Sequence, residues 1–408
     1  MLKSVCVQIK QWEGAKALTL VNKQVVLKVA YDEEWQTESL KEVTRGFEKQ
    51  HQGVSVELLL DANLREKVLS GEIQADLMQM YNSDFHSYRK RGIVADLTPW
   101  VERSGLKVNE RFHSGIFNLC RTADGIAGIP ISATTKGVFY NKRWFQQAQI
   151  SFPADNWTWN DFMDISLQLA KTRGQAEGDY AVRIPFHWEY LWSIVKSFDG
   201  AFFSPDGKAE GYLNGRTTVE AIQWVLDLIH KHKVSPQTNG YFDTSAFQNN
   251  QIGMIFEYFI PLQYLEAEMG DDLGIAAIPS WDSDKPAEQI PWLCGFGMSA
   301  GSSHPELAWS LLEVLTMKSN PLTGIVTEGF IAPLKQTYTD VGHDKNRNRN
   351  FILQQCNLMN NTRFTPTSSE FQHLDSTFSP NLNKLLEEGS DVQALLNDLA
   401  RSWDESHR

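Results

Sequence analysis

Three observations predict an α/β fold. Apolar runs of strand length alternate with segments whose apolar residues recur at helical spacing. The chain opens on a strand–helix–strand–helix–strand series, which implies parallel strands joined by right-handed crossovers. Its 408 residues, at about 150 per domain, point to two or three domains with cores large enough to need no disulfide or metal staple.

Val25–Ala30 reads as a short apolar strand, and Leu40, Val43 and Phe47 mark the inner face of the helix after it. Val54–Leu60 is the next strand, Leu64, Val68 and Leu69 belong to a short helix, and Ala75–Met80 is the third strand. Beyond Tyr81 the chain turns polar, then passes through Ile93–Leu97 to Pro99. Ile126–Pro130 and Gly137–Tyr140 read as extended, and Lys142–Ile150 as a short helix. Thr158 and Asp161 form a weak capping box before a helix that turns Phe162, Ile165 and Leu169 inward. Tyr180–Phe186 is a strand, and the helix Trp188–Phe198 stops at Asp199-Gly200. Thr217 with Glu220 makes a stronger capping box, opening a helix with Val219, Ile222, Leu226 and Ile229 inside. Ile252–Phe256 is a strand and Pro261–Met269 a helix, followed by strands at Leu273–Ile278 and Leu293–Ala300. Ser303 caps a helix with Pro305 in its first turn. Beyond Pro333 the chain reads as helical, ending in Asp391–Trp403, with Asp340–Asn350 as an exposed polar loop.

Composition narrows the function. The 42% apolar and 22% charged content is that of a globular chain, which excludes a disordered or collagen-like one. A net charge of −12 lacks the basic footprint of a phosphate-backbone binder, so no direct contact with nucleic acid is expected. No stretch reaches the roughly 18 apolar residues of a membrane span. The first 25 residues, broken by Lys3, Lys10, Glu13 and Lys16, do not read as a signal peptide and stand as an N-terminal extension. Cys6, Cys120, Cys294 and Cys356 are far apart, with no CxxC pair, so free and mostly buried thiols are expected rather than a zinc or redox site.

Signatures of known chemistry are absent: no GxSxG, P-loop, HExxH or EF-hand loop. No metal and no cofactor is expected. A carboxylate pair for glycoside hydrolysis stays open, because its spacing is spatial. Aromatic residues, 11% of the chain, concentrate where strands end. Tyr31 and Trp35 follow the first strand, and Tyr81 and Phe85 the third. Phe186, Trp188, Tyr190 and Trp192 surround a strand-to-helix junction, as do Phe256, Tyr258 and Phe259, and Trp281 and Trp292 flank a later strand. Ligands of parallel α/β sheets bind at those ends, and aromatic faces suit the C–H faces of sugar rings. Trp192 and Phe259 read as packing residues. For Trp188 and Tyr258 packing and ligand contact stand level.

GVFYNKRWFQQAQI (137–150), Pro153 and WTWNDF (157–162) resemble the extracellular solute-binding proteins of ABC sugar importers, the family that includes maltose-binding protein. Ala75-Asp76-Leu77, GIVADLTPW (92–100), Gly128-Ile129-Pro130, FDGAFFSPDGK (198–208), QIGMIFEYFIP (251–261) and EGFIAPLK (328–335) follow in the family's order. Each motif is short, but the order is specific for the family, over about residues 26–404, and not for one ligand.

The resemblance implies a two-lobed periplasmic-binding-protein-like (type II) fold. Each lobe would have a central, mostly parallel sheet flanked by helices, and the ligand would lie in the cleft between lobes that close by hinge bending. It divides the chain into residues 26–138 plus 276–331 for one lobe and 139–275 plus 332–408 for the other. Crossings are expected near Phe139-Tyr140, Leu273–Ile275 and Ile331–Pro333. The implied ligand contacts are Glu33, Trp35, Tyr81, Asp84, Thr134, Lys136, His187, Trp188, Glu257 and Tyr258, with Trp292 and Phe296 as weaker members. The implied ligand is a carbohydrate, an oligosaccharide because aromatics are plentiful. The implied partners are ABC permease membrane subunits, the protein is a monomer, and its place is extracytoplasmic. With no export signal visible, an intracellular sugar-sensing domain of a regulator is the alternative, and a glycan-active enzyme a further one.

Overall fold

In the computed structural model, which describes residues 25–82, 84–173, 178–240, 243–284, 287, 292–323, 329–358, 373–387 and 389–407, the first strand is β1 (Val25–Tyr31). It pairs in parallel with β2 (Val54–Leu60) along its whole length, from Val25 opposite Val54 to Tyr31 opposite Leu60, and with β3 (Leu77–Tyr81) at Val29 and Ala30. The helix Thr37–Gln50 connects β1 to β2 and buries Leu40, Val43 and Phe47. Gly71, at φ 78°, supplies the left-handed residue that ends the helix Leu64–Ser70. The opening series therefore folds as its periodicity predicts. The N-terminal extension lies outside the described residues, apart from Val25.

A two-residue hairpin, β4 (Arg121–Thr122) with β5 (Gly125–Ile126), precedes β6 (Ile129–Thr134) and β7 (Lys136–Asn141), which only Thr135 separates. Then come β8 (Tyr180–Arg183), β9 (Ile252–Tyr258), β10 (Leu273–Ala276) and β11 (Trp292–Met298). They form two principal sheets, with strand orders β2-β1-β3-β11-β6 and β10-β7-β9-β8. The sheets are mixed rather than mostly parallel. β11 is antiparallel to both its neighbours, and in the second sheet only β8 and β9 run parallel. Strands reached by direct passage from one sheet to the other need no crossover helix, so nothing forces them parallel.

Two of the three expected passages fall elsewhere, while Ile331 does lie at the crossing. Phe139 and Tyr140 lie within β7 and Leu273–Ile275 within β10; the chain changes sheet at Thr135 and again between β10 and β11. At the waist three backbone passes bond to one another. Ala133 and Ile331 exchange N–H···O bonds of 3.1 and 2.7 Å, the Phe259 N–H reaches the Thr135 carbonyl at 3.0 Å, and the Gly329 N–H reaches that of Ile260 at 2.8 Å. A Cβ on Gly329 would fall 1.4 Å from the Phe259 carbonyl oxygen, so only glycine permits this approach.

Much of the aromatic surplus is core. Trp159 is surrounded by Phe162, Phe198, Trp224 and Phe256 at ring separations of 5.0–6.2 Å, and Trp144, Trp157, Trp192, Phe259 and Trp403 are buried. Cys120, Cys294 and Cys356 are buried free thiols. The weaker capping box is real: the Thr158 N–H donates to Asp161 at 2.7 Å and the Asp161 N–H to the Thr158 hydroxyl at 3.2 Å. The stronger-looking one is not. That helix starts at Arg216, so Thr217 lies inside it, and Glu220 instead pairs with Arg216 at 2.7 Å. The helix from Pro305 is flanked by His304, not capped by Ser303. Asp340–Asn350 is not an exposed loop: it enters the helix Arg347–Asn357 and buries His343 and Arg349. No helix among the described residues is long and apolar enough to cross a membrane.

Candidate functional site

The parallel strands β1 and β3 end at the same edge of the first sheet, and polar side chains gather there. Asp32 is the first residue past β1, and Tyr81 is the last of β3. The Tyr81 hydroxyl donates to Asp32 Oδ1 at 3.0 Å and lies 3.5 Å from Glu33 Oε1. The Trp35 indole donates to Glu33 Oε2 at 2.7 Å, while its ring is 56% exposed. Gln79 holds the turn from below, accepting from the Asp32 N–H at 3.3 Å and donating to Gln36 at 3.0 Å. Burial pushes the Asp32 carboxyl up to about 6; the Tyr81 hydrogen bond opposes this and the neighbouring Glu33 adds to it. Burial, with nearby Cys294, Asp32 and Glu33, also raises the Tyr81 hydroxyl, keeping it a donor.

The second sheet contributes a more enclosed group. Lys136, the first residue of β7, is fully buried, with Nζ 2.6 Å from the Tyr258 hydroxyl and 3.9 Å from the Tyr258 ring centre. The same hydroxyl donates to Glu189, and Tyr190 donates to Glu257. Arg183 stands 3.6 Å from Glu257, which also accepts from the Tyr258 N–H at 2.9 Å. Burial pulls the Lys136 ammonium down to about 8, and Glu189 and Glu257 partly restore it. Further out, the Trp188 indole donates to Asp375 at 2.5 Å, and His187 Nε2 lies 3.6 Å from the same carboxylate. Burial raises Asp375, while the Trp188 bond, His187 and, from the first sheet's side, Arg65 lower it. Burial lowers His187, favouring the neutral ring.

Trp292, at the start of β11, joins the two groups. Its ring meets Tyr81 edge-on at 6.1 Å and Tyr258 edge-on at 5.6 Å. An aromatic line thus runs from one sheet to the other beside the carboxylates.

The structure sorts the residues named from sequence. Glu33, Trp35, Tyr81 and Trp292 come together and are partly exposed; Tyr258 and Trp188 adjoin them but are buried, with half-buried His187 beside Trp188. Asp84, Lys136 and Glu257 are near but buried, acting on their neighbours: Asp84 accepts the Tyr81 N–H at 3.0 Å and pairs with Arg65 at 3.0 Å. Thr134 is buried at the waist, its hydroxyl given to the Gly329 carbonyl at 2.8 Å. Phe296 does not belong to the site. It lies mid-strand in β11, between β3 and β6, fully buried in the apolar cluster of Leu27, Leu77 and Ile129, whereas Trp292 at the strand's start stays partly exposed. Asp32, Arg65, Glu189 and Asp375 were not singled out. Asp32 had a usable signal, as the first residue past a parallel strand; Asp375 had none in the sequence around it. Among the described residues no group of three or more His, Cys, Asp or Glu is placed to hold a metal ion.

Two mixed sheets, a waist at Thr135 and an aromatic, carboxylate-bearing surface between them define a two-lobed ligand-binding protein. The chain belongs to the bacterial extracellular solute-binding protein family, whose model matches residues 33–320. It is 22% identical over 266 residues to an arabinooligosaccharide-binding protein of Halalkalibacterium halodurans, covering 62% of this chain and 55% of that one. It is 25% identical over 137 residues to a multiple sugar-binding protein of Streptococcus mutans, covering 32% and 30%. The matches thus span less than two thirds of either relative. The fold is similar to that of the sugar-binding protein MalE from Xanthomonas citri, with a TM-score of 0.77 at 16% identity over 93% of this chain and 97% of that one.

Proposed function

We propose that this protein is the carbohydrate-binding component of an ABC import system, taking a neutral oligosaccharide between its lobes. The observation that carries this reading is the gathering of the partly exposed rings of Tyr81, Trp292 and Trp35 beside Asp32 and Glu33, backed by the buried Tyr258 ring. Rings offer faces to pyranose C–H groups, and carboxylates accept from hydroxyls in a partly dry site. The cations nearby are committed: Arg65 to Asp84, Arg183 to Glu257, and Lys136 buried on Tyr258. Asp32 and Glu33 would repel phosphate or uronate groups, which argues for an uncharged ligand.

Among the described residues the lobes divide at the waist, residues 26–82, 84–134, 292–323 and 329–331 forming one and most of the remainder the other. The relatives' names, which refer to arabinooligosaccharides and multiple sugars, support a glycan ligand. The family supports an extracytoplasmic role beside permease subunits and binding without turnover. A thermal-shift screen tests this. Neutral oligosaccharides should raise the melting temperature with concentration, and their phosphorylated or uronate counterparts should not. Silence across the neutral set, or hydrolysis of a bound glycan on long incubation, defeats the proposal.

A further inference from the structure

We infer that Lys136 is a positioning residue: by gripping the buried Tyr258 ring it holds Trp292 against Tyr81 and so sets how those two partly exposed rings meet at the ligand cleft. The inference rests on the reading of this cleft as the ligand site.

Lys136 and the Tyr258 ring it grips are both buried, so Trp292 and Tyr81 are the partly exposed rings through which it acts. Lys136 lies one residue beyond Thr135, where the chain changes sheet. A buried ammonium is costly unless its environment compensates. Here the compensation is the Tyr258 hydroxyl at 2.6 Å, the Tyr258 face at 3.9 Å and the Tyr190 face at 5.5 Å. The Tyr258 hydroxyl is fixed on its other side by Glu189, at the start of the helix Trp188–Ser197. Held at its tip and over its face, the Tyr258 ring has one orientation in which its edge contact with Trp292, at 5.6 Å, is made. Trp292 in turn meets Tyr81 at 6.1 Å. A cation in the second sheet is thereby linked, ring by ring, to the hydroxyl that serves Asp32 in the first.

The groups facing Lys136 are known on each side. Glu189, Tyr190 and His187 come from the helix and its N-terminal flank, Glu257 and Tyr258 from β9, and Arg183 from β8 through its contact with Glu257. Burial outweighs the two carboxylates, so the ammonium loses its proton at a lower pH than an exposed lysine, about 8. Its hold on the Tyr258 face therefore weakens as pH rises through that value.

The test replaces tryptophan with 5-fluorotryptophan and follows the Trp292 fluorine resonance, assigned by its loss in Trp292→Phe. In the unliganded wild type the resonance should titrate with a midpoint near pH 8. In Lys136→Met, which keeps the stem up to Cε but not the charged tip, it should be displaced and show no such midpoint. Tyr258→Phe, which keeps the ring but drops the hydroxyl, serves if Lys136→Met does not fold, and should displace the resonance in the same direction. Maltotetraose is the binding probe. Its Kd should weaken about tenfold in Lys136→Met and between pH 7 and 9 in the wild type, but not with pH in the variant. A Trp292 resonance with unchanged position and pH profile in whichever variant folds overturns the inference. If the wild type binds no neutral oligosaccharide, the functional proposal fails, while the fluorine readout still decides the role of Lys136.

Discussion

The Trp188 indole N–H donates to the Asp375 carboxylate at 2.5 Å, across 187 residues of chain. This bond ties the C-terminal segment to the wall of the cleft formed by the start of the helix Trp188–Ser197. Trp188 is 3% exposed, so its N–H depends on that acceptor. Asp375→Ala should cost about 1 kcal/mol, the lower part of the range for such bonds because the carboxylate is half exposed. Asp375→Asn keeps an oxygen acceptor and should lose much less. Urea denaturation of both variants checks this; equal losses would mean that the hydrogen bond is not what matters.

Trp35 separates ligand contact from stability. Its ring is exposed, and among the described residues the indole bond to Glu33 anchors it. Trp35→Ala should leave the folding free energy within about 0.5 kcal/mol. Removing one stacking face should weaken oligosaccharide binding by roughly tenfold, or about 1.4 kcal/mol. Calorimetry at matched temperature measures the second quantity, and an unchanged Kd would remove Trp35 from the site.

Phe296 should behave in the opposite way. Buried among Leu27, Leu77 and Ile129, it fills space rather than meeting ligand. Phe296→Ala should destabilise the fold by about 3–5 kcal/mol, yet bind sugar normally wherever it remains folded. Weaker binding by fully folded protein at low temperature would return this residue to the cleft.

Asp32 gives a pH dependence whose sign is fixed by burial. Its carboxyl sits at about 6 in the folded protein, above the ordinary 3.8. The folded state thus holds the proton more tightly than the unfolded chain does. Ionising Asp32 costs stability progressively as pH rises from about 4 through about 6, and the whole cost is present above that. Asp32→Asn, which still accepts from Tyr81, should be more stable than wild type at pH 7.5 by up to roughly 3 kcal/mol. The advantage should vanish near pH 4, and sugar affinity should fall because a charged acceptor is lost. A stability difference of the same size at both pH values would rule out this assignment.

How far the sequence could be read depended on the range of the interaction. The strands and helices around Leu40, Val43 and Phe47, or Ile222 and Leu226, are local periodicities and were legible. So was the aromatic gathering at strand ends, because Trp35, Tyr81 and Tyr258 stand beside the strands that aim them. Burial was harder. Lys136 and Glu257 are placed at the site by the resemblance but lie beneath it, since a charged side chain can be enclosed only if partners such as Tyr258 and Arg183 arrive from distant strands. The Thr217 box failed because Gly215 and Arg216 started the helix earlier, a choice of a residue or two that local pattern does not settle. Strand direction was misread where passages between sheets replaced crossover helices. Asp375 was invisible because nothing near it in the chain announces its pairing with Trp188.

The strand order of the first sheet has a consequence for how the protein comes into being. β11 lies between β3 and β6, yet it is encoded after all four strands of the second sheet. As the chain emerges in order, β3 and β6 wait with facing edges unpaired while the other sheet is synthesised. The central seam of the first sheet is therefore the last to close, and closing it brings Trp292 between Tyr81 and Tyr258. Such late, long-range pairing makes folding slow and leaves exposed edges during the wait. A nascent chain stalled before Trp292 would carry a complete second sheet but a first sheet split between β3 and β6, so the ring that joins the two lobes arrives only after the strands on either side of it.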